Sequence, residues 1–167
     1  MEKHTISLLV DNEPGVLARV AGLFSGRGFN IESLCVAETL DPSVSRITLV
    51  TRGDDAVAEQ IKKQLNKVIN VIKVHDLTGT EHVEREMALV KVNAKADHRA
   101  EILRIVDIFR CKVVDVSPAH YTIEATGTAD KLSAILGLLR PMGISEIART
   151  GAIALTRDKK DKTRGTS

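Results

Sequence analysis

Asn12, Gly15 and Asn30 are the residues whose types and spacing best suggest a chemistry in this chain. They stand in Asp11-Asn12-Glu13-Pro14-Gly15 and Phe29-Asn30-Ile31. An apolar run (Ile6, Leu8, Leu9, Val10) stops at the first of these stretches. An amphipathic stretch with Val16, Leu17, Val20, Leu23 and Phe24 on one face follows, and it ends at Gly26-Arg27-Gly28. The pattern predicts strand, loop, helix, strand. The first N–H groups of a helix have no partner within it. They favour a carboxylate by about 0.3–1 kcal/mol when exposed. Gly15 has no Cβ, so a ligand can approach its main chain, and Asn12 and Asn30 each offer a donor and an acceptor. A free amino acid needs this set together with an apolar wall, for which Val16, Leu17 and Ile31 are placed. The competing reading is that Asn12 caps the helix and Gly15 only permits the turn. Spacing alone leaves both open.

No catalytic set accompanies this loop. His4, His75, His82, His98 and His120 show no metal-ligand spacing, so no metal site is assigned. Cys35 has no basic partner nearby in sequence, and both Cys35 and Cys111 read as small buried hydrophobes in a reducing compartment. Gly26-Arg27-Gly28 is a lone GxG that marks a turn, and neither a P-loop nor a nucleophile elbow occurs. The acids Glu81, Glu84 and Glu86 around Arg85 read as a solvated or partner-facing cluster. Aromatic residues make up 2% of the chain, too few for stacked bases or a sugar platform. A net charge of +2 argues against nucleic acid. With no apolar run long enough for a membrane span and no signal-peptide pattern, the expected location is cytoplasmic.

The elements that must position the loop follow in order. Strands are expected at residues 3–10, 30–39, 45–51 and 68–77, with helices at 15–25 and from Gly53-Asp54-Asp55 through Val57, Ile61 and Leu65. This β-α-β-β-α-β order is that of a ferredoxin-like fold, two helices on one face of a four-stranded antiparallel sheet. Thr78-Gly79-Thr80 is the natural boundary, after which the order repeats. A strand from Arg85 to Ala94 precedes a helix capped by Asp97 and striped by Ile102, Ile105, Val106 and Phe109. Strands at 111–116 and 121–125, a helix at 128–139 striped by Leu132, Ile135, Leu136 and Leu139, and a last strand region at 144–155 complete it. The fold class is α+β, two consecutive ferredoxin-like βαββαβ domains. They cover residues 1–78 and 79–157, with 158–167 a mobile charged tail. Leu34, Val36 and Val50 are expected on the sheet face away from the helices. That face wants a cover, and a homodimer is expected to supply it.

The stretch DNEPGVLARVAGLFSGRGFNIESL resembles the regulatory small subunits of acetohydroxyacid synthase, also called acetolactate synthase. VSRITLVT (44–51), HVEREMALVKV (82–92) and FRCKVVDVSPAHYTIEATGTADKL (109–132) are similar to the same family, over about residues 2–157. The resemblance implies that the first domain is an ACT domain, an effector-binding module. It implies that the chain has no catalytic activity or cofactor of its own. Its partner would be a large catalytic subunit carrying thiamine diphosphate, FAD and magnesium. The chain would activate that subunit and confer feedback inhibition by a branched-chain amino acid, valine foremost. The effector would lie where two ACT domains of a homodimer meet. Asn12, Gly15, Val16 and Leu17 would come from one chain, Asn30 and Ile31 from the other.

Overall fold

The computed structural model describes residues 2–158, so the expected mobile tail of 158–167 lies, all but Asp158, outside the described residues. Its elements are β1 (Glu2–Asp11), α1 (Val16–Gly26), β2 (Ile31–Glu38), β3 (Val44–Gly53), α2 (Asp55–Asn66) and β4 (Val71–Asp76), then β5 (His82–Asn93), α3 (Arg99–Ile108), β6 (Lys112–Val116), β7 (His120–Gly127), α4 (Ala129–Leu139), β8 (Ile144–Arg149) and β9 (Ile153–Thr156). The first sheet has the order β2-β3-β1-β4 and the second β6-β7-β5-β8, with β9 also on β5. Every recorded ladder is antiparallel. This is the expected pair of βαββαβ units.

Each unit buries its own core between helices and sheet. In the first, Ile6, Leu8, Val10, Ile47 and Leu49 meet Val16, Val20, Phe24, Ile61 and Leu65. In the second, Val90, Val92 and Ile123 meet Ile102, Ile105, Leu132, Ile135 and Leu139. Full burial of each such apolar side chain contributes about 1.5–3 kcal/mol. The helices start where short polar side chains precede apolar stripes. Asp54 accepts from the Val57 N–H at 2.9 Å and Thr128 from the Lys131 N–H at 3.4 Å. Asp97 does not cap α3. His98 holds that position without a side-chain bond, and Asp97 lies inside the turn that the His98 N–H closes on the Lys95 carbonyl at 2.8 Å.

Two expectations about the first sheet change. Leu34 pairs with Leu49 and Val36 with Ile47, so both side chains share the helix-covered face of β3. The reason is a bulge between Ile31 and Ser33. One extra residue reverses the alternation, and Ile31 and Leu34 both pack against the helix-side core. The opposite face carries Thr5, Ser7, Thr48 and Val50, all buried, and its cover comes from the same chain. β8 and β9 run along one edge of β5 as a single bent strand. Gly151, at φ +77°, makes the bend, and a Cβ there would meet the Ser33 Cβ at 3.0 Å. The β5–β9 ribbon then crosses the first sheet, where Ala154, Leu155 and Thr156 line a small cavity with Ser7, Leu9 and Arg46.

The charged cluster after Thr80 is part of that ribbon. Strand β5 begins at His82, earlier than the sequence suggests. Glu84 accepts from the Thr5 hydroxyl at 3.3 Å and lies 3.4 Å from His82 Nε2. Glu86 is 8% exposed and pairs with Arg149 at 2.5 Å. Two of the three acids thus hold strands together, and Arg85, on the opposite side, is exposed.

Candidate functional site

The loop after β1 reaches α1 through a single left-handed residue. Gly15 occupies the N-cap position with φ 86° and ψ −11°, and among the described residues no side chain caps the helix. The Val16 N–H makes one long contact to the Glu13 carbonyl, 3.4 Å, and the Arg19 N–H begins the helical ladder on the Gly15 carbonyl at 3.0 Å. The positive end of α1 is therefore open to an anion. The space where a Gly15 Cβ would stand is empty to 4 Å. Glycine is required here by its backbone conformation, which other residues enter at a cost.

Asn12 has a different task from capping. Its Nδ2 donates to the Pro42 carbonyl at 2.9 Å and to Glu38 Oε1 at 3.1 Å, and its main-chain N–H donates to the Ser43 carbonyl at 2.8 Å. The loop is thereby clipped to the β2–β3 hairpin. That turn is built around Asp41, whose Oδ1 accepts from the Ser43 hydroxyl at 2.7 Å and the Ser43 N–H at 3.0 Å. These two bonds, the hydroxyl first, hold the Asp41 carboxyl below its ordinary range. Across the other flank, Asn70 donates to Asp11 and Glu13 and accepts from Arg19. The helix start is held from both sides by side chains that do not themselves cap it.

The remaining site residues divide by exposure. Val16 is 3% exposed and belongs to the core, so its side chain is no wall for a ligand. Leu17, 43% exposed, is the apolar side chain free beside the helix start. Ile31 is partly buried against the core. Asn30 has an exposed side chain, while its carbonyl accepts from the Thr51 hydroxyl at 2.7 Å. Loop and strand start do not meet within one chain. Asp11 is opposite Val44 on β3 and Ile31 is opposite Thr51. Seven residue steps of β3, from Val44 to Thr51, separate the two, about 23 Å at roughly 3.3 Å per residue.

One further constellation appears only in the fold. Glu2 and His4 fall on one face of β1, and α2 brings Asp55 to them, so that a ligand atom of each lies within 4.8 Å of the others. The i, i+2 spacing of Glu2 and His4 was the available signal. Asp55 is more than fifty residues away in sequence, and only the fold places it.

Comparison with known proteins places both halves. The family described as AHAS small subunit-like ACT domain matches residues 6–73, and the one described as small subunit of acetolactate synthase matches residues 85–158. A probable acetolactate synthase small subunit of Archaeoglobus fulgidus is 54% identical over 158 residues, 95% of this chain and 99% of that protein. The small subunit of acetolactate synthase isozyme 3 of Salmonella typhimurium is 49% identical, over 95% and 98% of the two chains. The crystal structure of an acetolactate synthase small subunit from Thermotoga maritima superposes with a TM-score of 0.87 at 44% identity, covering 95% of this chain and 99% of that one. No helix among the described residues is long and apolar enough to cross a membrane.

Proposed function

Since the chain belongs to the acetolactate synthase small-subunit family, we propose that it activates a thiamine-diphosphate-dependent catalytic subunit and makes it sensitive to a branched-chain amino acid. Thiamine diphosphate, FAD and magnesium belong to that partner. The effector, valine foremost, binds between the first domains of two copies. Its carboxylate lies at the open start of α1, on the N–H groups of Gly15, Val16 and Leu17. Asn30 of the second copy closes the site. Leu17 supplies apolar contact, with Ile31 behind it.

The observation that carries this reading is the uncapped helix start at Gly15, held open by the clip of Asn12 to Pro42 and Glu38. With Asn30 in the site, this reading calls for two copies, because Asn30 lies at the far end of the sheet from that loop in its own chain. A ligand shifts a conformational equilibrium only by binding one arrangement better than another. A site split between chains makes effector affinity depend on how the two copies sit, and this supplies the difference. The test is to reconstitute the catalytic subunit with this chain and assay acetolactate formation with and without valine. The expected result is a rise in activity on adding the chain and a fall on adding valine. An unchanged rate in both steps removes the reading. Calorimetric titration of valine into the Asn30→Ala variant tests the site itself, and wild-type affinity there would exclude Asn30.

A further inference from the structure

We propose that Glu2, His4 and Asp55 form a binding site for a divalent transition-metal ion of the zinc class. His4 is 2% exposed, and its Nε2 lies 3.1 Å from the Gly53 carbonyl oxygen. A carbonyl oxygen only accepts, so in the neutral ring Nε2 carries the hydrogen. Nδ1 is then left with a lone pair, and it is buried with no partner. Buried polar atoms of this kind are rare and call for an explanation. A ring that donates one N–H to a backbone carbonyl and keeps the other nitrogen free has the tautomer and restraint of a metal-ligating histidine.

Two carboxylates supply the rest. One ligand atom each from Glu2, His4 and Asp55 falls within 4.8 Å of the other two. Among the described residues, neither carboxylate is ion-paired to a cation or to the imidazole. Two like charges at this separation repel unless a cation offsets them. Glu2 and Asp55 are exposed, so their side chains can close on an ion by rotation. One imidazole nitrogen with two carboxylate oxygens suits zinc, cobalt or nickel better than magnesium or calcium, which take oxygen donors almost alone. A bound ion would tie the start of β1 to the start of α2. It would do so at the end of the sheet where His4 and Ile31 both pair with Thr51.

The test uses the full chain without an affinity tag. Cobalt(II) is titrated in while its visible d–d absorption is recorded, and the melting temperature is measured with and without zinc(II). The expected outcome is one cobalt per chain, a rise in melting temperature, and loss of both in the Glu2→Gln/Asp55→Asn double variant. These two substitutions sit on exposed side chains, so the variant keeps the fold. Its melting temperature without metal serves as the check. His4→Ala should abolish binding as well. Absence of cobalt bands, or equal binding by the double variant, overturns the proposal. A thiolate-to-cobalt charge-transfer band would place the ion on Cys35 or Cys111 and overturn it too.

Discussion

Gly15 and Asn30 stand at opposite ends of one sheet, held apart by the length of β3. Gly15 follows the end of β1, where Asp11 pairs with Val44, and Asn30 precedes Ile31, which pairs with Thr51. No rotation of the Asn30 side chain brings it to Gly15, since the separation is built into the strand register. A small effector that touched both residues, as proposed, would therefore need two copies of the chain.

That geometry makes a subunit-mixing experiment decisive. Gly15→Asp places a negative charge where the effector carboxylate would lie, and Asn30→Ala removes the closing amide. Each variant alone should lose valine binding by at least tenfold, equivalent to about 1.4 kcal/mol. In a mixed dimer, the intact loop of the Asn30→Ala chain faces the intact strand start of the Gly15→Asp chain. One of the two sites is then whole. Mixing the two variants after unfolding and refolding together should restore valine binding to about a quarter of the wild-type number of sites, because half of the dimers are mixed and each carries one good site. Calorimetry gives that number directly. No recovery on mixing would place both residues in a site made by one chain.

The role of Gly15 in the fold itself is separable from the ligand. Its φ of 86° is left-handed, and a Cβ would meet nothing within 4 Å. Gly15→Ala should therefore cost backbone strain alone, about 1–2 kcal/mol. For a chain of this size that lowers the melting temperature by about 2–8 °C. Thermal unfolding followed by circular dichroism measures it. An unchanged melting temperature would mean that the loop relaxes to another conformation at no cost.

Much of this architecture was legible in the sequence, and the exceptions have definite causes. The alternation of Ile6, Leu8 and Val10 and the helical stripe of Val16, Val20 and Phe24 gave the first core correctly, because burial on one face imposes a period. Leu34 and Val36 lie on the face opposite to the one that simple alternation predicts, because a single bulged residue at the start of β2 reverses the alternation and leaves no compositional mark. The acids at 84 and 86 read as solvated, since nothing local announces that Thr5 and Arg149 will meet them. The cover of the first sheet's open face was expected from a second copy. The ribbon that supplies it depends on a bend at Gly151, and pairing between residues more than sixty apart cannot be read from spacing. Asn12 was open between capping and binding. Its bonds to Pro42 and Glu38 show a third task, clipping the loop.

Cys111 offers a test of local burial. Desolvation pushes its thiol above the ordinary cysteine range, and the nearby Lys131 ammonium offsets this only in part. The thiolate is the reactive form, so a raised pKa means less of it at a given pH. In a Cys35→Ser background, alkylation of Cys111 by iodoacetamide at pH 8 should run several-fold slower in the folded chain than in urea. Lys131→Met removes the favourable charge, raises the pKa further and should slow the reaction again. A faster reaction in Lys131→Met would reverse the sign and remove the lysine from the account.

Gly151 connects the two units, and its substitution should be felt in both. At φ +77° a side chain is strained, and a Cβ would stand 3.0 Å from that of Ser33, closer than ordinary contact. Ser33 lies on β2 at the bulge, so it cannot move without shifting the start of that strand. Gly151→Ala should therefore cost about 1–3 kcal/mol, either as strain or as partial detachment of the β5–β9 ribbon. Detachment would uncover Ser7, Thr48 and Val50, which are buried in the intact chain. Amide hydrogen exchange distinguishes the two. Strain alone lowers protection uniformly with global stability, whereas detachment raises exchange selectively at 82–85 and 153–156, where the ribbon's own ladder lies. Because those segments cover the first sheet, we expect the selective pattern, with faster exchange on the Thr48–Val50 stretch of β3 accompanying it. Protection and melting temperature equal to wild type would show that the bend tolerates a side chain and that the close approach to Ser33 does not constrain it.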